Sequence, residues 1–450
     1  MREKWNRQMP LMPEIASHAQ AKELEMISGI IDSKPIICQL VLQDLCKGRS
    51  TGSRTGAKGM SAEQVLRAAL VLRMYGFTYQ ELAFHIVDSQ SIRRFCRIGI
   101  ADKGFKKSVL NKNIKALSDQ TWEAINLEIL GYAAEAKIEK GRMARIDCTV
   151  VESNIHEPSD SSLLYDCVRV LSRLQENAMD LGLGRFGYHN HQRVAKRRMV
   201  KLQYARNETE RRQPYRDLIK YTRKTLASAR SAIELLRTAG ADNMAALGLV
   251  LELEHYAGLT GRVIDQAERR VIHGEKVPAQ EKVVSIFEEH TDIIIKDRRD
   301  TFFGHKICLT GGRSNLILDC QIVEGNPADV TLTETMLDRQ EQIYGRYPLK
   351  AALDGGFASK ENLRVAKDKG IKDVCFAKKR GLDTLDMCRS EYVYKRLRRF
   401  RAGIESGISW LKRSFGLDRC TWKGWRSFKS YVWASIVSAN LLTIARKKLA

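Results

Sequence analysis

The sequence predicts an α/β fold in which a core sheet is interrupted by a large helical insertion and preceded by an all-helical N-terminal domain. Residues 60–135 have helical periodicity, residues 142–151 alternate as a strand does, and strand patterns return only after residue 290. Between them, residues 162–286 are charged and helical in period. Because a lone strand is not stable, we expect one sheet that begins before the insertion and resumes after it.

The composition points to a polyanionic partner. The 450 residues include 76 Lys and Arg against 53 Asp and Glu, giving a formal net charge of +23. Such an excess most often indicates nucleic-acid binding, and 44% hydrophobic residues exclude a disordered chain. The ten cysteines form no CxxC pair, and we find neither a signal core nor an apolar run of membrane-spanning length. We therefore expect a cytoplasmic, nucleoid-associated protein with no membrane partner.

The pattern divides the chain into five parts. Residues 1–59 are interpreted as an N-terminal arm and linker, because they end in a basic stretch rich in Gly, Ser and Thr. A helical domain follows at 60–138. Residues 139–161 and 287–440 are predicted to form the α/β domain, with the insertion at 162–286 between them, and 441–450 a basic tail.

Short helices around a glycine turn characterise the predicted N-terminal domain. Two capping boxes begin helices: Ser61 with Gln64, and Thr78 with Glu81. Three arginines fall on the next short helix: Arg93, Arg94 and Arg97. The arrangement is typical of a helix-turn-helix-like unit whose arginines contact DNA, and an ordinary helical subdomain explains the pattern equally well.

Two aspartates occupy strand positions. Asp147 lies in the middle of RMARIDCTVV, and Asp354 ends LKAALD just before two glycines. An ionised carboxylate among apolar strand residues must be paired, hydrogen-bonded or metal-bound, because burying a bare charge is costly. Two such carboxylates with a helical Glu can hold a pair of divalent cations, for which Mg²⁺ with its preference for oxygen ligands is suited.

The spacing of a later helix offers that Glu. Five residues recur at steps of three and four along RRFRAGIESGISWLKRSFG: Arg398, Arg401, Glu405, Ile408 and Lys412. On one helical stripe, a carboxylate can bind metal while its cationic neighbours bind phosphates. The alternative is a solvated salt-bridge ladder, because Arg401 and Glu405 are an i,i+4 pair, and spacing alone favours that alternative.

The blocks that carry these carboxylates resemble those of a known family. IDCTVVESNIHEPSDSSLLYDCVRVL (146–171) resembles the first catalytic block of bacterial insertion-sequence DDE transposases, in particular the ISNCY-type and related groups, and KAALDGGFASKEN (350–362) resembles the second. The third block is similar to the Y-R-E-K signature, with Arg401, Glu405 and Lys412 in register. Arg398 stands where the signature has Tyr. The likeness spans residues 60–440.

The resemblance implies an RNase H-like fold with a mixed sheet, in which the strands bearing Asp147 and Asp354 are neighbours. It implies that Asp147, Asp354 and Glu405 are catalytic and hold two Mg²⁺ ions, with Mn²⁺ as a substitute. Arg401 and Lys412 would position phosphates, and the cationic Arg398 would reach phosphate where Tyr would stack.

The implied activity is that of a DNA transposase. Such an enzyme binds the terminal inverted repeats of an insertion sequence, cleaves there, and joins the freed 3′-hydroxyl to target DNA, usually as a homodimer that holds both ends. Two alternatives stay open: an RNase H-like nuclease that cuts without joining, and a non-catalytic DNA-binding repressor derived from a transposase.

Overall fold

The computed structural model of the chain describes residues 18–47, 59–99, 101–296 and 300–450. Two compact units divide it: Met1–Ser153 with Gly304–Ala450 form one, and Asn154–Phe303 form the other. The N-terminal helices and most of the sheet lie in the same unit. Residues 1–17 and 48–58, which include parts of the predicted arm and linker, lie outside the described residues.

Seven helices precede the first strand in the described part of the chain. They are α1 Ala19–Asp32, α2 Ile36–Cys46, α3 Ala62–Met74, α4 Tyr79–Asp88, α5 Gln90–Phe95, α6 Lys107–Ile114 and α7 Asp119–Glu135. Both predicted capping boxes are present, at the starts of α3 and α4. Gly76 follows α3 with a φ of +65°, a backbone conformation that favours glycine.

The segment interpreted as an arm contains two packed helices. In α1 and α2, Ile27, Ile30 and Ile37 are at most 1% exposed, and they belong to the main hydrophobic core of the unit. Burial of these isoleucines stabilises the segment, at roughly 1.5–3 kcal/mol for each fully buried side chain. Residues 19–46 are therefore held in place by the core of the unit.

Among the described residues, six strands form a mixed sheet: β1 Met143–Glu152, β2 Asp292–Lys296, β3 Asp300–Gly311, β4 Ile317–Ile322, β5 Lys350–Leu353 and β6 Asp373–Phe376. β1 pairs antiparallel with β3 and parallel with β5. β3 pairs antiparallel with β4, and β5 pairs parallel with β6. β2 also pairs with β3. The two strands that carry or precede the candidate aspartates, β1 and β5, are thus direct neighbours.

The second unit is a helical bundle with its own hydrophobic core. Its helices are α8 Asp160–Asp180, α9 Gln192–Tyr204, α10 Glu208–Ala239 and α11 Met244–Ala267. Leu164, Leu218 and Leu253 are fully buried in this core, which explains why a long charged sequence folds as a compact body. The helical residues predicted at 162–286 lie within this unit, and the first turn of α8 and the strand β2 extend it on either side.

Five further helices complete the first unit: α12 Thr333–Tyr344, α13 Lys360–Asp368, α14 Thr384–Met387, α15 Glu391–Phe415 and α16 Trp425–Leu449. α15 packs against β1, β5 and β6, whereas α16 packs against α1, α3, α7 and β4. No helix within the described ranges is both long enough and apolar enough to cross a membrane.

Helix α16 links the N-terminal helices to the edge of the sheet. Its Asn440 side chain accepts a hydrogen bond from Ile317 N at 2.9 Å, and donates to Ile317 O at 2.7 Å and to Oδ1 of Asn126 in α7 at 2.8 Å. Leu441, Ile444 and Ala445 are buried. Residues 441–445 therefore pack as part of α16, whereas residues 446–449, with three basic side chains, form the exposed last turn of the helix.

Candidate active site

Asp147 and Asp354 lie side by side where β1 and β5 run parallel. Ile146 is aligned with Leu353 in the register of the two strands; Asp147 is the next residue of β1, and Asp354 directly follows β5. Asp354 then starts a short helical turn, Gly355–Phe357. The pairing of β1 with β5 thus brings together two aspartates that are 207 residues apart in sequence.

Glu405 reaches the same place from α15. Ser390 caps the start of this helix by accepting from Val393 N, and Gly416 ends it with a φ of +64°. Arg145 of β1 holds the helix against the sheet, because its Nη1 donates to the Phe400 carbonyl at 3.1 Å and its guanidinium stacks 5.0 Å from the Phe400 ring centroid. Gly403 makes this approach possible, since a Cβ there would clash with Nη1 of Arg145.

One guanidinium joins the three carboxylates. Nη2 of Arg401 lies 2.9 Å from Oδ2 of Asp147 and 2.7 Å from Oδ1 of Asp354, and Nη1 lies 2.5 Å from Oε1 of Glu405. We call these four residues the acid cluster. The i,i+4 pair of Arg401 and Glu405 is therefore present, but it is not an isolated surface ladder, since the same arginine also reaches two strands of the sheet.

Burial within the acid cluster decreases from the sheet outward. The side chains of Asp147, Asp354 and Glu405 are 14%, 35% and 59% exposed. Burial raises the pKa of Asp147 to about 6, against the lowering effect of Arg401; the Asp354 and Glu405 charges raise this pKa further, and the Cys148 N–H lowers it. Carboxylates that repel one another in a partly buried site favour binding of additional positive charge.

The donor set of the acid cluster suits a hard divalent cation, since carboxylate oxygens are the ligands that Mg²⁺ and Mn²⁺ prefer. The three carboxylates share one counter-ion, so they already converge on a single positive centre. That centre is the Arg401 guanidinium, and among the described residues no group of three or more His, Cys, Asp or Glu is arranged to hold a metal ion. Binding of a cation between the carboxylates would thus require Arg401 to move.

The other predicted DNA-binding residues of α15 lie outside the acid cluster. Arg398 is exposed and has no ion-pair partner among the residues described. Lys412 lies two turns beyond Glu405, and its Nζ is 3.2 Å from Oδ1 of Asp418. Neither cation contacts the three carboxylates, so their predicted contacts with phosphate depend on DNA approaching along the helix.

The three N-terminal arginines all have partners within the protein. The Arg93 guanidinium donates to the carbonyls of Val87, Gly99 and Asp102 and so holds the turn after α5. Arg94 lies 3.6 Å from Glu25, and Arg97 pairs with Asp32 and Glu63 at 2.7 and 3.2 Å. Their contact with DNA remains a prediction. For Arg93, contact with DNA would compete with its hydrogen bonds to the backbone of the turn.

Sequence reasoning missed Arg145 and Gly403, the two residues that dock α15 onto β1. Arg145 is 5% exposed, although it is a strand arginine in a chain with many solvated cations. The available signal was its position two residues before Asp147, which places both side chains on one face of the strand. Nothing in the sequence around Gly403 indicated that an arginine from another element lies against it.

Comparison with family models gives two matches to this chain. A model described as a transposase DDE domain matches residues 289–441, which include Asp354 and Glu405. A second, described as a transposase domain (DUF772), matches residues 14–116 in the N-terminal helices. Comparisons with curated proteins and with solved structures each found no match.

The two matches define the class of protein as a transposase, a nucleotidyl-transfer enzyme. They come from different parts of the chain and together cover more than half of it. The chain belongs to the insertion-sequence DDE transposases, as the motifs predict; the matches do not identify a subgroup.

Proposed function

We propose that the protein binds the ends of an insertion sequence, cleaves DNA there, and transfers the freed strand end into target DNA. The observation that carries this proposal is the convergence of Asp147, Asp354 and Glu405 on one guanidinium. Three carboxylates from two strands and one helix, gathered in a very basic protein, are suited to phosphodiester chemistry with divalent cations.

The residues of the acid cluster have distinct roles in this proposal. Asp147, Asp354 and Glu405 would hold the divalent cations, which when bound supply positive charge and activate water for attack on phosphorus. Arg401 balances the carboxylates in the absence of metal and is close enough to bind a phosphate oxygen once it is displaced. Lys412 and Arg398 would bind phosphates farther along α15.

Two reactions at phosphorus follow one another. Water first hydrolyses the phosphodiester at the element end, which breaks the P–O3′ bond and leaves a free 3′-hydroxyl. That hydroxyl then attacks a phosphodiester of the target strand, forming a new P–O3′ bond and releasing the target's own 3′-hydroxyl. No covalent protein–DNA intermediate is required, because water and then the freed 3′-hydroxyl are the nucleophiles of the two steps.

The RNase H-like fold and the partners belong to the same proposal. A mixed sheet in which β1 and β5 are parallel neighbours supports the fold, because it brings together the strands that carry or precede the two aspartates. We propose that the N-terminal helices recognise the terminal inverted repeats, that a homodimer holds two ends, and that the protein acts at the nucleoid. The second match, at residues 14–116, supports the role of this region in transposition.

Incubation with labelled DNA tests the proposal. The substrate is taken from the DNA that flanks the gene, where inverted repeats mark the element ends, and the reaction contains Mg²⁺ and a target plasmid. Joined products support a transposase. Cut products without joining would identify a nuclease, and shifted but intact DNA would identify a binding protein; either result contradicts the proposal.

A further inference from the structure

A cavity of about 590 Å³ opens at the other end of the strands that lead to the acid cluster. Met143 and Lys350, the first residues of β1 and β5, line its wall. The rest of the wall comes from three elements: the loop that precedes β1, the turn between β3 and β4, and the end of α16. Six cations surround the cavity: Lys137, Lys140, Arg142, Arg313, Lys350 and Lys447.

Most of these cations have no counter-ion in the part of the chain that the structure describes. Lys350 is paired with Asp373 at 3.2 Å. The other five side chains form no ion pair with any of the described residues, and we call them, with the space they enclose, the basic cavity. Five such cations near one another repel each other, and the single acid of the wall, Glu139, cannot balance them all, so a net positive charge remains that an external anion would neutralise.

Glu139 is the acid in the wall, and its carboxylate is already satisfied. It is 5% exposed; Oε1 accepts from Lys140 N at 2.9 Å and Gly141 N at 3.0 Å, and Oε2 accepts from Ser314 N at 2.8 Å and Ser314 Oγ at 2.6 Å. These bonds tie the loop before β1 to the turn after β3, and so hold Lys140 and Arg313 at the same opening.

Two glycines allow this connection. Gly141 has a φ of +63°, and a Cβ there would meet the Tyr344 ring. A Cβ at Gly312 would clash with the carboxylate of Glu139. The cations therefore extend from turns with a fixed backbone rather than from free loops, which lowers the entropic cost of binding a ligand.

We propose that the basic cavity binds the phosphodiester backbone of DNA, separately from the acid cluster. Lys and Arg side chains without counter-ions are the groups that recognise phosphate. No aromatic side chain lines the cavity among the described residues, so a free nucleotide would find no ring on which to stack its base. A DNA backbone, which is recognised through charge alone, fits these walls better. The inference rests on the proposed function only in taking DNA as the ligand.

The opposite positions of the two sites determine what the basic cavity can hold. Lys350 starts β5 and Asp354 follows its end, so the sites are separated by about 10 Å or more along the strand, at roughly 3.3 Å per residue. A phosphate in the basic cavity is therefore not the one that is cleaved. The basic cavity would hold DNA beyond the scissile bond and add affinity without taking part in the chemistry.

Salt dependence of binding in the full-length protein tests the proposal. The triple variant Lys140→Gln, Arg142→Gln, Arg313→Gln removes three unpaired cations. The matched control Arg364→Gln, Arg389→Gln, Lys395→Gln also removes three exposed positive charges from the first unit, each within ion-pair range of an acid. Affinity for a random DNA duplex is measured at salt concentrations between about 50 and 200 mM, where binding through phosphate contacts weakens steeply as salt rises.

The expected result is a shallower salt slope for the cavity variant. Each lost phosphate contact lowers the slope of log K against log salt by about 0.9, so three contacts would lower it by about 2.7. The control should keep the slope of the unmodified protein. Equal slopes for the two variants, with normal binding by the unmodified protein, would overturn this inference alone. Failure of the unmodified protein to bind any DNA would overturn the proposed function as well.

A second measurement separates DNA from small anions. Each protein is titrated with inorganic phosphate and with ATP, and binding is followed by calorimetry. The unmodified protein and the cavity variant should give the same result with both probes. Saturable binding of either probe by the unmodified protein, lost in the cavity variant and kept in the control, would assign the cavity to a small anion and overturn the inference.

Discussion

The acid cluster and the basic cavity lie at opposite ends of the parallel pairing between β1 and β5, and their charges are balanced in different ways. In the acid cluster, every carboxylate is paired with Arg401. In the basic cavity, five cations have no counter-ion among the residues described, and the one acid in the wall is occupied by hydrogen bonds. Carboxylates that are paired with an arginine bind a cation only if it displaces that arginine. Cations without a counter-ion attract an anionic ligand from a distance.

This difference separates chemistry from affinity. We expect the acid cluster to determine whether bound DNA is cut, and the basic cavity to determine how tightly DNA is bound. Variants at the two ends should therefore fail in different assays.

The largest effect is expected from the carboxylates. Asp147→Ala, Asp354→Ala or Glu405→Ala should each lower the rate of end cleavage at least ~1,000-fold, because each removes a ligand from the proposed metal site. Binding should change less than about threefold, since affinity comes from Lys and Arg. Gel analysis of labelled ends in Mg²⁺ measures cleavage, and a shift assay measures binding. Cleavage by the Asp354→Ala protein would contradict the assignment of that residue.

Stability of the basic cavity should depend on Glu139. Glu139→Ala leaves the N–H groups of Gly141 and Ser314 buried without an acceptor, and should lower the free energy of unfolding by about 2–4 kcal/mol. Glu135→Ala is the control, because Glu135 is 66% exposed and pairs with Lys34, so its loss should cost under about 1 kcal/mol. Denaturant unfolding distinguishes the two. Equal losses would show that Glu139 does not hold the turns together.

Two glycines on α15 allow a matched test of how the acid cluster is positioned. Gly403→Ala should lower the free energy of unfolding by about 1–3 kcal/mol, because the new Cβ forces Arg145 away. Gly407→Ala meets no atom within 4 Å and should stabilise the helix by about 0.5–1 kcal/mol. Thermal unfolding of both variants measures the difference in sign. Stabilisation by both would mean that Arg145 is not needed to dock the helix.

The smallest effect concerns the shared counter-ion. Arg401→Ala removes a positive charge that competes with cations for the three carboxylates, so Mn²⁺ should bind about fivefold more tightly in the absence of DNA, a change on the order of 1 kcal/mol. Lys412→Ala should leave Mn²⁺ affinity unchanged, since Lys412 pairs with Asp418. Electron paramagnetic resonance titration measures both. Weaker Mn²⁺ binding in Arg401→Ala would show that the arginine organises the carboxylates instead of competing for them.

Local patterns in the sequence predicted the elements well. The capping boxes at Ser61 and Thr78 start the helices they predict, and Ser89 caps α5. Alternation identified β1, and the apolar runs after residue 290 gave the later strands. The predicted transposase family is confirmed by both family matches. These features depend on residues close in sequence, so they are visible without the fold.

Contacts between distant residues were not predictable in the same way. The spacing of Arg401 and Glu405 favoured a solvated ladder, and only the packing of α15 on β1 and β5 brings Asp147 and Asp354 to the same guanidinium. The basic cavity draws its five cations from three separate segments, and only the fold brings these segments together. The packed helices at 18–47 were missed because the adjacent Gly, Ser and Thr run dominated the interpretation of that region.

The position of α16 dictates the order in which the first unit can fold during synthesis. Its residues are made after all the other elements described, yet they pack against α1, α3 and α7 and complete the edge of β4 through Asn440. At about 5–20 residues per second, the ribosome needs on the order of tens of seconds between α1 and α16. Throughout that interval the nascent N-terminal helices expose apolar faces that invite aggregation or chaperone binding. We therefore expect the yield of folded protein to depend on how well these helices are protected during synthesis.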